Sequence, residues 1–95
     1  MKNKNEYIKE FVMCGMCEGM SSNLYTIFDG HGCNALINYK TKIAIYDMIN
    51  NKIILNSDYY SSTTSRNQNL IKKLAKQEGI DILEVDEEGI YNYNR

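Results

Sequence analysis

The order of apolar and polar residues divides the chain into one long helix and several short strands. The clearest helix covers about residues 66–78, where a single apolar stripe recurs at helical spacing and consists of Leu70, Ile71, Leu74 and Ala75. Ser65 and Gln68 have the spacing of a capping box at the start of this helix. Gly79 is suited to the left-handed conformation that ends helices. The sequence therefore predicts a main helix bounded by Ser65 and Gly79.

The segments on either side of this helix have the pattern of strands. Apolar segments next to an Asp-Gly and an Asn-Asn turn dipeptide predict strands at residues 24–28, 33–39, 42–48 and 53–56, and apolar and polar side chains alternate over residues 42–48. Residues 80–85 alternate again after the helix, and residues 90–94 predict a short strand or a frayed end. The face of the sheet toward the helix is expected to carry Ile43, Ile45, Ile53 and Leu55.

The start of the chain permits two local structures. Apolar residues recur at helical spacing over residues 4–13, although a short strand over residues 9–13 fits nearly as well, and residues 14–23 predict a loop. Together the elements predict an α+β domain, with an antiparallel sheet of about four to five strands, the main helix on one face and a short N-terminal helix. We expect a single domain, with its core at about residues 22–85 and an acidic tail at 86–95.

The composition is that of an ordinary globular protein. The chain has 95 residues, of which 43 % are apolar and 24 % charged, and this length suffices for one modest core. No apolar run reaches the roughly 18 residues that span a membrane, and the first residues lack the apolar segment of a secretory signal. We therefore expect a cytoplasmic protein that makes no contact with a membrane.

Charge is distributed unevenly along the chain. The net charge is −1, yet residues 78–95 hold six acidic residues and one basic residue, whereas the preceding part holds six acidic and ten basic residues. This separation indicates two electrostatic faces. The acidic tail could imitate phosphate groups in a basic groove of a partner protein, through Asp86, Glu87, Glu88, Tyr91 and Tyr93. The alternative is a solvated end that improves solubility.

A second candidate region combines hydroxyl groups at the start of the main helix with basic side chains along it. Its residues are Thr63, Thr64, Arg66, Lys72, Lys73 and Lys76. Free amides at a helix N-terminus could hold an anion such as a signalling nucleotide, and the basic side chains could contact the phosphates of a nucleic acid. Ordinary capping and a solvated helix face explain the same residues, and the isoelectric point of about 5.8 is low for a nucleic-acid-binding domain.

Three cysteines and the single histidine are candidate metal ligands. Cys14 and Cys17 have the C-x2-C spacing of zinc sites, and His31 and Cys33 could complete a tetrahedral set. The H-x-C spacing is unusual for zinc, however, and three thiols without a metal, near a surface histidine, are the simpler interpretation, so we expect no metal or other cofactor. The chain also lacks a nucleophile elbow, a P-loop and an H-E-x-x-H motif, and we therefore expect no enzymatic activity.

Several segments carry a pattern that extends over the middle of the chain. They are Gly15 and the runs SNL (22–24), ALINYKTKIA (35–44), NKIILN (51–56) and YSSTTSRNQNLIKKLA (60–75). In these segments the chain resembles an uncharacterised family of small tailed-phage and prophage proteins, which typically show a Y-S-x-T-T-S-[K/R]-x-Q-N run after an I-L/V-N strand. The resemblance implies a compact α+β fold, an origin in a phage or mobile element, and no established activity. The cysteines and the acidic tail lie outside the shared pattern.

Size, charge separation and this resemblance together favour an interaction protein. We expect a small phage-encoded inhibitor of the anti-CRISPR kind, which docks on a host defence protein or nucleoprotein complex through its acidic tail or its helix face. One alternative is an accessory module that binds nucleic acid through Arg66, Lys72, Lys73 and Lys76. Another is a sponge for a signalling nucleotide. An exposed edge of the sheet would also permit a homodimer.

Overall fold

The computed structural model describes residues 3–17, 19–21 and 23–93. Its elements follow in the order α1 (Lys4–Cys14), β1 (Met20–Ser21), β2 (Leu24–Phe28), β3 (Cys33–Asn38), β4 (Thr41–Asp47), β5 (Lys52–Asn56), α2 (Ser62–Glu78), β6 (Asp81–Val85) and α3 (Glu87–Tyr91). The α+β fold that the sequence predicts is confirmed, with α2 as its main helix and α1 as the short N-terminal helix. No helix in the described part of the chain has the length and apolar character needed to cross a bilayer.

All strands belong to one sheet, in the order β1-β2-β3-β4-β5-β6. From β1 to β5 each strand pairs with the next in antiparallel fashion, because short turns join them. β6 is parallel to β5, since α2 carries the chain back along the sheet before β6 begins. The expected antiparallel meander is present, but this helical crossover makes the complete sheet mixed.

Both faces of the sheet are covered by helices, so the structure has three layers, whereas the sequence predicted the main helix on one face. α1 and α2 cover one face, which we call the two-helix face, and its core includes Phe11, Val12, Leu24, Leu36 and Ile71. α3 covers the opposite face, whose core consists of Cys33, Ala35, Ile37, Ile45, Ile54 and Ile90. Every residue of β3 is consequently buried.

A bulge in β4 changes which residues face α2. Leu36 pairs with Ala44 but Ile37 pairs with Lys42, so Ile43 is an extra residue in β4. Ile43 and Ala44 both pack in the core of the two-helix face, and Ile45 packs in the opposite core. The predicted inner face is therefore wrong for Ile45, while its other three members are confirmed.

The main helix begins one turn earlier than expected. Its N-cap is Ser61, whose hydroxyl oxygen accepts from the Thr64 amide over 3.1 Å. The capping box at Ser65 is wrong, because Gln68 Nε2 donates instead to the carbonyl groups of Asn56 and Asp58. The predicted end is confirmed, with Gly79 at φ 70°.

The two ends of the chain are helical. Asn3 caps α1 by accepting from the Glu6 amide over 2.8 Å, which resolves the choice between helix and strand there. Asp86 caps α3 by accepting from the Gly89 amide over 2.8 Å, so residues 90 and 91 belong to a helix and the predicted strand over 90–94 is wrong. Within the predicted loop 14–23, residues 20 and 21 form β1. Residues 18, 22, 94 and 95 lie outside the described part of the chain.

Candidate functional site

The six candidate anion-binding residues do not converge on one site. Thr64 is buried, and its hydroxyl group donates to Asn38 Oδ1 over 3.0 Å. Lys72 forms an ion pair with Glu84 at 3.2 Å. The remaining side chains are exposed along α2, namely Thr63, Arg66, Lys73 and Lys76. An anion site that includes Thr64 is therefore not accessible, and the exposed cations have the arrangement of an ordinary solvated helix face.

Polar residues in the first half of α2 fasten this helix to the sheet. Asn38 Oδ1 accepts from Thr64 Oγ1 at 3.0 Å and from Asn67 Nδ2 at 3.1 Å. Gln68 Nε2 donates to the Asn56 carbonyl over 2.6 Å. All five residues are buried, where a polar group is costly unless it is hydrogen-bonded. These polar side chains therefore fix the position of α2 on the sheet.

The predicted acidic tail is folded against the sheet. Tyr91 OH accepts from the backbone amide of Lys42 over 2.9 Å, and the Lys42 ammonium lies 5.0 Å from the centre of the Tyr91 ring. Tyr93 OH donates to Asp47 Oδ2 over 2.7 Å. Both phenol groups thus form hydrogen bonds within the chain, whereas Asp86, Glu87 and Glu88 are exposed, as is Asn92 among the described residues of this segment.

Glu87 also takes part in a hydrogen-bond chain that joins α3 to the segment before α2. Asn56 Nδ2 donates to Tyr60 OH over 2.8 Å, and Tyr60 OH donates to Glu87 Oε1 over 3.1 Å. Asp58 Oδ2 accepts from the Glu87 amide over 2.8 Å. Burial raises the pKa of Tyr60, and the neighbouring charges of Glu87 and Asp58 raise it further. Tyr60 is therefore held as a neutral donor to Glu87.

The four candidate zinc ligands are not assembled. Cys17 is buried in the core of the two-helix face, where its thiol donates to the Tyr7 carbonyl over 3.0 Å. Cys33 is buried in the opposite core, whereas Cys14 and His31 are exposed. Among the described residues, no group of three or more His, Cys, Asp or Glu could hold a metal ion. The sheet separates Cys17 from Cys33, and the zinc alternative receives no support.

An exposed apolar surface at one end of the sheet was not predicted from the sequence. It lies where β2 and β4 end, beside the C-terminus of α1. We call this surface the apolar end, and its side chains, 44–74 % exposed, are Met13, Met16, Ile27, Phe28, Met48 and Ile49. The other large apolar side chains that are exposed in the described residues lie elsewhere, at Tyr39, Tyr59 and Leu83. Exposed apolar side chains are thus concentrated in one region.

A buried amide joins the parts of the apolar end. Asn34 Nδ2 donates to the Gly15 carbonyl over 2.9 Å and lies 3.5 Å from Met48 Sδ. On the sheet, Asn34 is paired with Phe28 on one side and with Tyr46 on the other. The end of α1, the end of β2 and the turn after β4 therefore meet around one side chain.

Two glycines allow the close contacts in this region. Gly15 ends α1 at φ 76°, and a Cβ atom there would lie 2.8 Å from the Tyr46 ring. Gly32 has φ 74°, and its Cβ atom would lie 2.7 Å from the Ile49 side chain. Since Cβ atoms essentially never approach so closely, any other residue would displace Tyr46 or Ile49.

Asp47 makes the turn after β4 rigid. Its Oδ1 accepts from the amides of Ile49 and Asn50 at 3.1 and 3.0 Å. Its Oδ2 accepts from Asn50 Nδ2 at 2.8 Å and from Tyr93 OH at 2.7 Å. Burial opposes ionisation of Asp47, but these hydrogen bonds outweigh it and hold the pKa of Asp47 below its ordinary value. The ionised carboxylate therefore keeps Met48 and Ile49 in the conformation that exposes them.

Two features of the sequence could have revealed the apolar end. Phe28 directly precedes the Asp29-Gly30 turn, and Met48 and Ile49 directly precede the Asn50-Asn51 turn. Apolar side chains in turns have few neighbours to cover them. The predicted strands end at these residues, and the strand pattern did not predict that their side chains are exposed.

A separate polar cleft lies between α2 and the carboxyl ends of β5 and β6. Its volume is about 200 Å³, and its polar walls include Ser57, Ser65, Asn69, Lys72 and Glu84. Ligands of βαβ units bind beyond the carboxyl ends of parallel strands, which is where this cleft opens. Lys72 is the member of the predicted anion set that lines it.

Comparison with known proteins gives a family and no function. No curated protein and no solved structure matches the chain significantly. One family model matches residues 2–87, which is most of the chain, and it is described as a family of unknown function, DUF8033. The chain therefore belongs to the DUF8033 family.

Proposed function

We propose that this protein acts by binding another protein through its apolar end. The observation that carries the proposal is the concentration of exposed methionine, isoleucine and phenylalanine side chains at this end of the sheet. Soluble monomers rarely expose such surfaces unless they are used for binding. Methionine is frequent in surfaces that adapt to a partner, because its side chain is flexible and polarizable.

The surroundings of the apolar end favour a protein as the partner. The Asp29 carboxylate is neutralised by Lys42 at 2.9 Å, and Asp47 is fully engaged inside the turn. The exposed turn residues are otherwise uncharged, such as Asn50 and Asn51. The centres of protein interfaces are poor in charged residues and rich in methionine and aromatic residues. A nucleic acid would instead require a cluster of basic side chains.

The partner in this proposal is a host defence protein or nucleoprotein complex, which the protein inhibits by docking in the host cytosol. The resemblance to small tailed-phage proteins supports this class of partner. The carboxylates of Asp86, Glu87 and Glu88 support it as well, because exposed acidic groups steer a protein toward a basic, nucleic-acid-binding surface. In this account the apolar end supplies affinity and the carboxylates supply steering.

The test compares two serine substitutions in a tagged pull-down from infected-host lysate and in an assay of defence activity. Phe28 and Tyr59 are equally exposed, at 74 % and 72 %, but only Phe28 belongs to the apolar end. We expect Phe28→Ser to weaken capture of the partner and inhibition at least tenfold, which is a typical loss for a hot-spot residue. Tyr59→Ser should leave both unchanged. Equal losses from the two variants, or none from Phe28→Ser, would overturn the proposal.

A second candidate function is capture of a small polar ligand such as a signalling nucleotide. The polar cleft beside α2 favours it, since Ser65, Asn69 and Lys72 offer donors at the carboxyl ends of two parallel strands. Binding would raise the melting temperature by mass action. A panel of cyclic mononucleotides and dinucleotides tests this, and a rise that Asn69→Ala abolishes supports it. No rise at millimolar ligand contradicts it.

A further inference from the structure

The outer edge of β6 offers unpaired backbone groups. The Val85 carbonyl accepts from the Ser57 amide over 2.8 Å, so Val85 directs its backbone groups toward β5. Backbone direction alternates along a strand, and β6 is in register with β5 from Asp81 to Val85. Ile82 and Glu84 therefore direct their N–H and C=O groups away from the sheet. β6 is the last strand, and no described residue bonds to these outward groups.

The opposite edge of the sheet is formed by β1, a strand of two residues, which offers a second chain little backbone to pair with. β1 pairs with the first part of β2, through Met20 opposite Tyr25. Beyond it, the Thr26 hydroxyl group accepts from the Cys17 amide at 3.3 Å and donates to the Cys17 carbonyl at 2.9 Å. Natural proteins cover or charge their edge strands because an open edge pairs with other chains. β6 is thus the edge available for pairing.

We propose that β6 pairs in antiparallel fashion with β6 of a second copy of this chain, which joins the two sheets into one. The outward residues of the two strands meet when Ile82 lies opposite Glu84 of the second copy. By symmetry Glu84 then lies opposite Ile82 of that copy, and the pair of strands gains four backbone hydrogen bonds. Leu83 lies on the two-fold axis opposite its own counterpart.

The side chains of β6 suit this register. Leu83 is 44 % exposed, and contact with its counterpart would cover an apolar group at the centre of the interface. Each Glu84 faces an isoleucine, so no like charges are directly opposed. A groove beside β6 is lined by Ile82 and Lys76, which places a lysine near the position of the second copy's Glu84. A register centred on Glu84 would oppose two carboxylates and is disfavoured.

The register gives a sharp test through two substitutions at one position. Pro is tolerated on an edge strand where its missing N–H faces solvent, so Glu84→Pro removes an outward donor without breaking the bonds between β5 and β6. Glu84→Ala keeps that donor. Both variants lose the exposed ion pair with Lys72, whose contribution to stability is small. Leu83→Lys is a second, independent variant, because it places two positive charges together on the axis.

Sedimentation velocity and native mass spectrometry measure the oligomeric state. The interface is small, so we expect the wild type to dimerise with a dissociation constant on the order of 10–100 µM. Glu84→Pro and Leu83→Lys should weaken dimerisation at least tenfold, and Glu84→Ala should weaken it by less than threefold. Circular dichroism shows whether each variant is folded. If Glu84→Pro is unfolded, Leu83→Lys alone tests whether β6 forms the dimer interface.

Three results would overturn the proposal. The wild type could remain monomeric up to about 1 mM. A folded Leu83→Lys variant could dimerise as the wild type does. A dimer that Phe28→Ser abolishes and Leu83→Lys leaves intact would assign self-association to the apolar end. Because Phe28 and Leu83 lie on different surfaces, failure of the β6 dimer leaves the proposed binding function standing, and the reverse also holds.

Discussion

Replacing Tyr93 by phenylalanine measures how strongly the carboxylate of Asp47 is held. The change removes the hydroxyl group that donates to Asp47 Oδ2 over 2.7 Å and keeps the ring, which lies 5.9 Å from Lys52 Nζ. A hydrogen bond to a charged group contributes about 1.5–3 kcal/mol. We therefore expect Tyr93→Phe to lower the free energy of unfolding by about 2 kcal/mol at pH 7. For a domain of this size, that lowers the melting temperature by about 8–16 °C.

The effect of this change depends on pH in a defined direction. The pKa of Asp47 is lowered by folding, so its contribution to stability is complete above the unfolded pKa of about 3.9 and is lost as pH falls through the folded pKa. Burial and the hydrogen bond to Asp47 raise the pKa of Tyr93, so its contribution is complete below about pH 10 and is lost at higher pH. The difference between wild type and Tyr93→Phe should be largest between these limits.

Urea unfolding at pH 7 and at pH 3 gives the two free energies of unfolding. Tyr25→Phe is the matched control, because Tyr25 packs against the same core and none of the described residues is its hydrogen-bond partner. If Tyr93→Phe is no more destabilising than Tyr25→Phe at pH 7, the Tyr93 hydroxyl group does not stabilise the Asp47 carboxylate, which refutes this role. At pH 3 the loss should be no larger than at pH 7, because the hydrogen bond is strongest to the ionised carboxylate, and a larger loss would also contradict this role.

Three further predictions concern interactions that position α2 and the sheet, each measured by chemical denaturation. Ser61→Ala should lower the free energy of unfolding by about 1 kcal/mol and Ser65→Ala by less than half of that, because Ser61 is the N-cap. The opposite order would show that Ser65 is the N-cap. Gln68→Leu should cost about 2 kcal/mol, since two carbonyl groups lose their donor, and a neutral effect would contradict this role. Asp29→Ala should lower the free energy of unfolding by about 3 kcal/mol, because it leaves the Lys42 ammonium buried without a counter-charge. Lys42→Met removes the buried charge and should lower it by less. Equal losses from the two variants would contradict this explanation.

Local patterns predicted most of the fold. The Asp-Gly and Asn-Asn dipeptides mark the turns of the meander, and Gly79 ends α2 as expected. The start of α2 was not predictable, because hydroxyl residues occupy every position from 61 to 65 and each could serve as a cap. The choice is made by Gln68, which bonds to the carbonyl groups of Asn56 and Asp58 and is unavailable to Ser65.

The remaining differences have tertiary causes. The bulge at Ile43 moves the following residues of β4 to the other face of the sheet. The alternation along a single strand does not reveal such a bulge, because the extra residue is defined only by the pairing with the neighbouring strand. The acidic segment reads as a solvated tail because its apolar residues are few, yet Ile90 and the phenol groups of Tyr91 and Tyr93 dock it on the sheet. The candidate site was missed for the same kind of reason, since the apolar end is assembled from three distant segments of the chain.

Site-specific photocrosslinking tests the central claim that the apolar end is the binding surface. A photoreactive amino acid is incorporated at position 49, in the apolar end, and separately at position 59, which is equally exposed but lies outside it. In lysate from infected host cells, the account predicts a crosslinked product with one defined host protein from position 49 and none from position 59. The same product from position 59, with none from position 49, would contradict it.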